Sequence, residues 1–97
     1  MMNFIKLYDW IADTELPAEE RIVLAIINQF SEGDKTGFWA GFKEMAVRTG
    51  IPKARCKQYT EHLIEIGAVT KHNEVQLHKT RLVLKTSPDF VSQFIEG

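Results

Sequence analysis

The longest apolar pattern in the chain lies in "LPAEERIVLAIINQFSEG", residues 16–33, and it predicts an α-helix. Its helically spaced apolar residues, with two more that fill the gaps, are Ile22, Val23, Leu24, Ala25, Ile26, Ile27 and Phe30. Pro17 suits a first helical turn, and Glu19 and Glu20 follow near the positive end of the helix dipole. Because a helix that is apolar on nearly every side must be covered on every side, we expect it at the centre of the fold.

Two shorter helical patterns follow, separated by a turn. The first is "FKEMAVRT", residues 42–49, which Gly50 ends. Pro52 then opens "KARCKQYTEHLIEIG", which ends at Gly67, as helices often do. The residues expected to face inward are Phe42, Met45 and Ala46 in the first helix, and Cys56, Tyr59, Thr60 and Leu63, with Ile64 or Ile66, in the second. The pattern therefore predicts two helices of one motif, covering residues 42–66.

Alternation replaces helical spacing between residues 68 and 85, and this predicts a β-hairpin. Leu82 and Leu84 lie on one face of its second strand, "RLVLK". Val75 and Leu77 have odd numbers, whereas Leu82 and Leu84 have even numbers, so one uninterrupted strand cannot put all four on the same face. The turn must therefore lie within residues 73–80. Alternation alone does not determine the register.

The segments between and before these elements allow two structures each. "FIKLYDWIA" mixes helical and alternating spacing, so we interpret residues 1–16 as a lead-in packed on the core, with a short helix as the alternative. "KTGFWAG" is either a short strand or a packed loop. Its aromatic pair, Phe38 and Trp39, is expected to close the core rather than to bind a ligand.

The end of the chain, "TSPDFVSQFIEG", predicts a short helix within residues 87–97. Ser87 is a good N-cap, Pro88 suits the first turn, and Asp89 interacts favourably with the helix dipole. The apolar face of this helix consists of Phe90, Val91, Phe94 and Ile95. It docks either on its own domain or on a partner chain.

Composition limits what these elements can form. The 97 residues are within the usual size of one domain, so we expect a single α+β domain, mainly α, over residues 1–97. The longest apolar run, "IVLAII", is far shorter than the roughly 20 residues of a membrane span. The chain also lacks the pattern of a secretory signal, and its lone Cys56 fits a reducing compartment. We expect a cytoplasmic protein that does not contact membranes.

The charge distribution is uneven although the net charge is only −1. Residues 1–41 carry a net charge of −4, and residues 86–97 carry −2. Residues 42–85 hold nine bases and four acids, a net charge of +5. A basic middle between acidic ends favours a nucleic-acid partner, whereas clustering on solvated faces is the alternative.

The order helix, strand or loop, helix, tight turn, helix, hairpin is typical of a winged helix. "FKEMAVRTGIPKARCKQYTEHLIEIGAV" resembles the helix-turn-helix of winged-helix DNA-binding domains. The upstream "FIKLYDWIADTELPAEERIVLAIINQF" is similar to the opening of such domains in phage and plasmid replication initiator and replisome-organiser proteins. The sequence departs from the pattern at Pro52, where Ser or Thr usually caps the helix, and at Cys56, where a branched apolar residue is common.

This resemblance implies a module that binds double-stranded DNA in replication initiation or transcriptional regulation, with its third helix in the major groove and its wing on the backbone. Base-facing residues are expected to be Lys53, Ala54, Lys57 and Gln58. Backbone contacts are expected from Lys43, Arg48, Arg55, Lys79 and Arg81, with His78 beside them. Glu61 and Glu65 lower the charge of the same helix beyond its first two turns.

Other function classes have less support in the residues. The chain has no phosphate-binding glycine loop, no nucleophile elbow and no close Cys or His spacing for zinc, so we expect neither an enzyme nor a cofactor or metal. The alternative is a protein-interaction module on the same scaffold. In that case the terminal helix, through Phe90, Val91, Phe94 and Ile95, would bind a second copy of the chain or a replication protein.

Overall fold

The computed structural model describes residues 8–33 and 36–95. Its helices are α1 (Asp9–Ala12), α2 (Ala18–Gly33), α3 (Gly41–Thr49), α4 (Lys53–Glu65) and α5 (Pro88–Ile95), and its strands are β1 (Val69–Gln76) and β2 (Lys79–Thr86). The described residues therefore form a mainly helical α+β fold with one antiparallel hairpin, which confirms the expectation of an α+β, mainly α fold. None of the helices in these ranges is long and apolar enough to cross a membrane.

Helix α2 is the centre of the fold, as its pattern predicts. Residues 23–27 are each at most 2% exposed, and α2 contacts α1, α3, α4 and β2. Side chains from these elements meet it in one core that includes Met45, Cys56, Leu63 and Leu84. An apolar helix surrounded by other elements removes the most apolar surface from water, which is the main stabilising contribution to folding.

The turn between α3 and α4 is tight because Gly50 adopts a left-handed conformation, with φ of +76°. Its amide donates to the Ala46 carbonyl at 2.9 Å, which satisfies an otherwise free carbonyl at the end of α3. The Thr49 hydroxyl accepts from the Ile51 amide at 3.2 Å and donates to the Met45 carbonyl at 2.8 Å. At the start of α4, Pro52 provides no side-chain cap, because proline has no side-chain hydrogen-bond acceptor.

The hairpin turn falls at Leu77 and His78, within the predicted range. The register that alternation left open pairs Val69 with Thr86 and Gln76 with Lys79. Leu82 and Leu84 share a face, as predicted, but Leu84 is 3% exposed and Leu82 is 38% exposed. Leu82 is more exposed because it lies two residues nearer the turn, and the helices cover only the base of the hairpin.

A single residue adds a third chain segment to the hairpin. Phe38 forms an isolated bridge with Leu84, and their amides and carbonyls make two hydrogen bonds of 2.7 and 2.9 Å. Gly37 is required just before it, since its φ is +92° and a Cβ there would lie 2.7 Å from the Leu84 carbonyl oxygen. The described part of "KTGFWAG" is therefore a packed loop with one strand-like pairing at Phe38 rather than a strand of its own.

The expectation that both aromatic residues close the core is right for Phe38 and wrong for Trp39. Phe38 is 1% exposed and packs edge-on against Phe30, whereas Trp39 is 47% exposed. Neighbouring residues of an extended segment point to opposite sides, so only one of the pair can face the core.

Both ends of the described chain pack on each other. The short-helix alternative holds for residues 9–12, while the rest of the predicted lead-in up to residue 7 lies outside the described residues. The Trp10 ring lies 6.4 Å from that of Phe90 and 6.2 Å from that of Phe94. The Ser87 amide also donates to the Ala68 carbonyl at 2.9 Å. Helix α5 therefore docks on its own domain.

Candidate nucleic-acid interface

Helix α4 is buried along one side and open along the other. Cys56 and Leu63 are fully buried and Thr60 is 1% exposed, which confirms them as the inward side. Tyr59 and Ile64 are half-buried, whereas Ile66 is 40% exposed and follows the helix. The four residues predicted to face DNA bases, Lys53, Ala54, Lys57 and Gln58, are all exposed.

The outer side of α4 changes charge halfway along its length. Lys53, Lys57, Glu61 and Glu65 follow one another at four-residue spacing, and all four are exposed. Residues at this spacing lie on one face of a helix, so this stripe is basic in its first half and acidic in its second. A polyanion would therefore meet only the first two turns of α4 favourably.

One flank of α4 is held by two acids at the start of α2. Glu19 accepts a hydrogen bond from the Tyr59 hydroxyl at 2.8 Å, and its carboxylate lies 3.4 Å from the Arg55 guanidinium. Glu20, which is 2% exposed, contacts the His62 ring nitrogen Nδ1 at 2.5 Å. These contacts orient α4 against α2 by directed polar bonds in addition to the apolar packing.

The two acids raise the pKa of the groups that they contact. The Glu19 carboxylate accepts the hydrogen bond of the Tyr59 hydroxyl, and this raises the pKa of Tyr59 above its ordinary value. The hydrogen bond and the charge of Glu20 raise the pKa of His62, which favours the imidazolium. In the core, burial raises the pKa of the Cys56 thiol, so this residue packs as a neutral apolar group.

The three arginines expected to contact the DNA backbone each have an acidic partner. Besides the Arg55 pair, Arg48 lies 4.0 Å from Glu44 and Arg81 lies 3.9 Å from Glu74. Two of them also cover aromatic rings: the Arg48 guanidinium is 5.1 Å from the centre of Phe30, and that of Arg81 is 4.7 Å from the centre of Trp39. These arginines would need to exchange or share their acid in order to bind phosphate.

The predicted lysines have no such partner. Lys43, Lys53, Lys57 and Lys79 are exposed and form no ion pair with any residue in the described part of the chain. Among the candidate bases, only these side chains are available for an anion without first losing an internal contact.

Sequence reasoning missed the acidic clamp on α4 and the stacking of Arg81 on Trp39. The clamp joins residues 40 and 42 positions apart, and no local spacing signals it. The stack depends on the bridge that brings Trp39 beside β2. One signal was present in the sequence: Glu19 and Glu20 are adjacent at the start of α2, and the first turns of α4 are basic.

Metal chemistry has no geometric basis in this region. No group of three or more His, Cys, Asp or Glu side chains within residues 8–33 and 36–95 is arranged to hold a metal ion. The potential ligands His72 and His78 are exposed on the hairpin, and Cys56 is buried in the core.

Comparison of the chain with models of protein families, with curated proteins and with solved structures finds no match.

Proposed function

We propose that this chain is a winged-helix module that binds double-stranded DNA, of the kind that serves replication initiation or transcriptional regulation in phages and plasmids. The element order supports the winged-helix assignment, since α2, the Phe38 bridge, α3, α4 and the hairpin follow in sequence. The turn at Gly50 supports it as well, because the motif requires a short turn that sets one helix across the other.

The observation that carries the proposal is the open side of α4. Lys53 and Lys57 project from its first two turns with no ion-pair partner within residues 8–33 and 36–95, and Gln58 lies beside them. In a helix that enters the major groove, the N-terminal residues reach the base edges. Lysine can donate to guanine and glutamine can bond to both polar positions of adenine, so these side chains suit base contacts.

Phosphate contacts would come first from the free lysines and then from the paired arginines. Lys43 on α3 precedes α4 in the chain and Lys79 on β2 follows it, and neither forms an ion pair with another described residue. Arg48, Arg55 and Arg81 would exchange a carboxylate for a phosphate, so their net contribution is smaller. Contacts of this kind fix the position of a protein on DNA, whereas base contacts provide the specificity.

A protein-interaction role of α5 has less support. Phe90, Val91 and Phe94 pack against the domain's own core, and only Ile95 of the expected contact residues is strongly exposed, at 65%. A partner would therefore find one strongly exposed apolar side chain on this helix, beside three that are partly buried against the domain. DNA binding through α4 is the better-supported function.

The test is a salt titration of binding to a duplex of mixed sequence. The logarithm of the association constant should fall linearly with the logarithm of salt concentration, by about 0.9 for each phosphate neutralised. Lys57→Gln should reduce affinity at least about fivefold, because each good base contact contributes about 1–3 kcal/mol.

Arg21→Gln is the matched control because it also removes one positive charge, but from the side of α2 that faces α1. It should bind as the wild type does. Absence of binding at low salt, or equal losses in both variants, would contradict the proposal.

A further inference from the structure

The tip of the hairpin carries an apolar line that leaves the core and ends in solvent. The register puts Leu84, Leu82 and Val75 on one face, because residues directly opposite in the ladder share a face. Along this line the exposed fraction rises from 3% at Leu84 to 38% at Leu82, 76% at Val75 and 89% at Leu77 in the turn. The last two side chains contribute nothing to the core.

The turn residues are also in an unfavourable backbone conformation. Leu77 has φ of +51° and His78 has φ of +65°. A two-residue hairpin turn of this type is usually formed by Asn-Gly or similar residues, because side chains other than Gly, Asn and Asp are strained there. Leucine at this position is thus both strained and exposed, and neither property stabilises the free protein. Strain of this kind is commonly retained where it serves a binding site.

The surroundings of the tip indicate an anionic partner. Of the four basic residues of the hairpin, Lys79 and Arg81 lie in the half next to the turn, together with its single acid Glu74, whereas Lys71 and Lys85 lie near its base. Lys79 is two residues from Leu77 and has no ion-pair partner among the described residues. A purely apolar protein surface would not complement this charge, whereas a nucleic acid would.

We propose that Leu77, at the tip of the hairpin, acts as an apolar wedge between base pairs in the DNA minor groove. This inference rests on the proposed function, since it assigns a DNA contact to the wing of the same module. The minor groove is about 6 Å wide, so a narrow two-residue turn with one projecting leucine fits it better than a broad surface does. Apolar wedges partly unstack a base step, and neighbouring basic side chains contact the phosphates on either side.

The wedge gives the protein a preference that phosphate contacts alone do not provide. Pyrimidine–purine steps such as TA unstack most easily, and the guanine amino group obstructs the minor groove. The wild-type protein should therefore bind an alternating dA–dT duplex about tenfold more tightly than an alternating dG–dC duplex of equal length. Energy transfer between dyes on the two ends of the dA–dT duplex should rise on binding, because a wedge kinks the DNA.

The deciding variant is Leu77→Asn. Asparagine tolerates positive φ, so the variant should melt at the same or a higher temperature than the wild type while it loses the apolar side chain. It should lose the preference for dA–dT and the rise in energy transfer, but keep the salt dependence that the lysines produce. Leu77→Met, which retains an apolar side chain of similar volume, should keep the preference.

Val47→Asn is the matched control, because Val47 on α3 is 70% exposed and apolar but lies outside the hairpin. It should keep both the preference and the bend. The wedge proposal is overturned if the wild type binds DNA without a preference or a bend, or if Leu77→Asn retains both. The proposed function stands in either case. Capture of a protein by the tip would then explain the exposed leucine. If the wild type binds no duplex at low salt, both proposals fail together.

Discussion

Glu20 illustrates how a single buried charge is retained in this fold. The carboxylate is 2% exposed, and a buried charge without a partner would be strongly destabilising. It has two sources of stabilisation: its position in the first turn of α2, where the helix dipole favours a negative charge, and its contact with His62. The state of His62 therefore influences how firmly α4 is attached to α2.

The first prediction is a pH-dependent contribution of His62 to stability. Its folded pKa is raised above the ordinary value of 6.5 by Glu20, so protonation favours the folded state. The stabilisation should be fully present below the unfolded pKa of about 6.5 and should be lost as the pH rises through the higher folded pKa. Melting temperatures of the wild type and His62→Gln, measured from pH 5.5 to pH 9, should differ most at the acidic end. A difference that is constant or grows with pH would exclude this role.

At the scale of elements, α4 is attached by two kinds of contact with different consequences. The apolar contacts of Cys56 and Leu63 fix its depth and would tolerate residues of similar volume. The contacts of Glu19 with Arg55 and Tyr59 orient one flank, and they also put a negative charge beside the basic face. The same acid therefore helps to hold α4 and weakens its attraction for a polyanion.

The second prediction concerns Glu19→Gln. Loss of the carboxylate charge should release Arg55 and raise the affinity for duplex DNA at low salt by a few-fold, with the gain diminishing as salt is added. The pKa of Tyr59 should fall toward its ordinary value, because a neutral acceptor no longer opposes the tyrosinate; an absorbance titration detects this shift.

Glu15→Gln provides the control for Glu19→Gln, because it makes the same change in net charge at an exposed position before α2. It should leave both the DNA affinity and the tyrosine titration unchanged. Equal gains in affinity for the two variants would mean that net charge alone is responsible and that the clamp on α4 has no part in it.

At the scale of the whole molecule, α5 closes the fold rather than extending from it. Its aromatic residues reach Trp10 in α1, and the two rings of Phe90 and Phe94 also contact each other, with centres 5.1 Å apart. The first and last described helices therefore depend on each other. This arrangement adds apolar burial to a small domain, in which the core is limited by the ratio of surface to volume.

The third prediction compares two neighbouring residues of α5. Phe94→Ala should destabilise the protein by about 2 kcal/mol, less than the 3–5 kcal/mol expected for a fully buried phenylalanine, because Phe94 is half-buried. Its melting temperature should fall by roughly 10 °C. Ile95→Ala, at a residue that is 65% exposed, should change stability by no more than about 0.5 kcal/mol. Urea denaturation followed by tryptophan fluorescence measures both. Similar effects at the two positions would contradict the docking of α5.

The spacing of apolar residues was sufficient to predict the helices and strands that pack against the single core. The helix over residues 16–33, the two shorter helices with Gly50 between them, and the hairpin all occur where the apolar spacing predicts them. Local signals of this kind report which side of an element avoids water, and burial of that side is the dominant local constraint. They failed for Trp39 because composition cannot tell which of two adjacent aromatic residues faces the core.

What the sequence determined by itself is the set of elements, their inward faces and the basic character of the first turns of α4. The tertiary structure decided the hairpin register, the pairing of Phe38 with Leu84, and which lysine and arginine side chains remain available to a partner. The physical reason is range: hydrophobic spacing operates within a few residues, whereas ion pairs and strand contacts join residues that are distant in the chain. Glu19 and Glu20 reach α4 only because folding brings the start of α2 to its flank. As a result Arg55 of α4 is paired with an acid, whereas Lys53 and Lys57 have no ion-pair partner among the described residues.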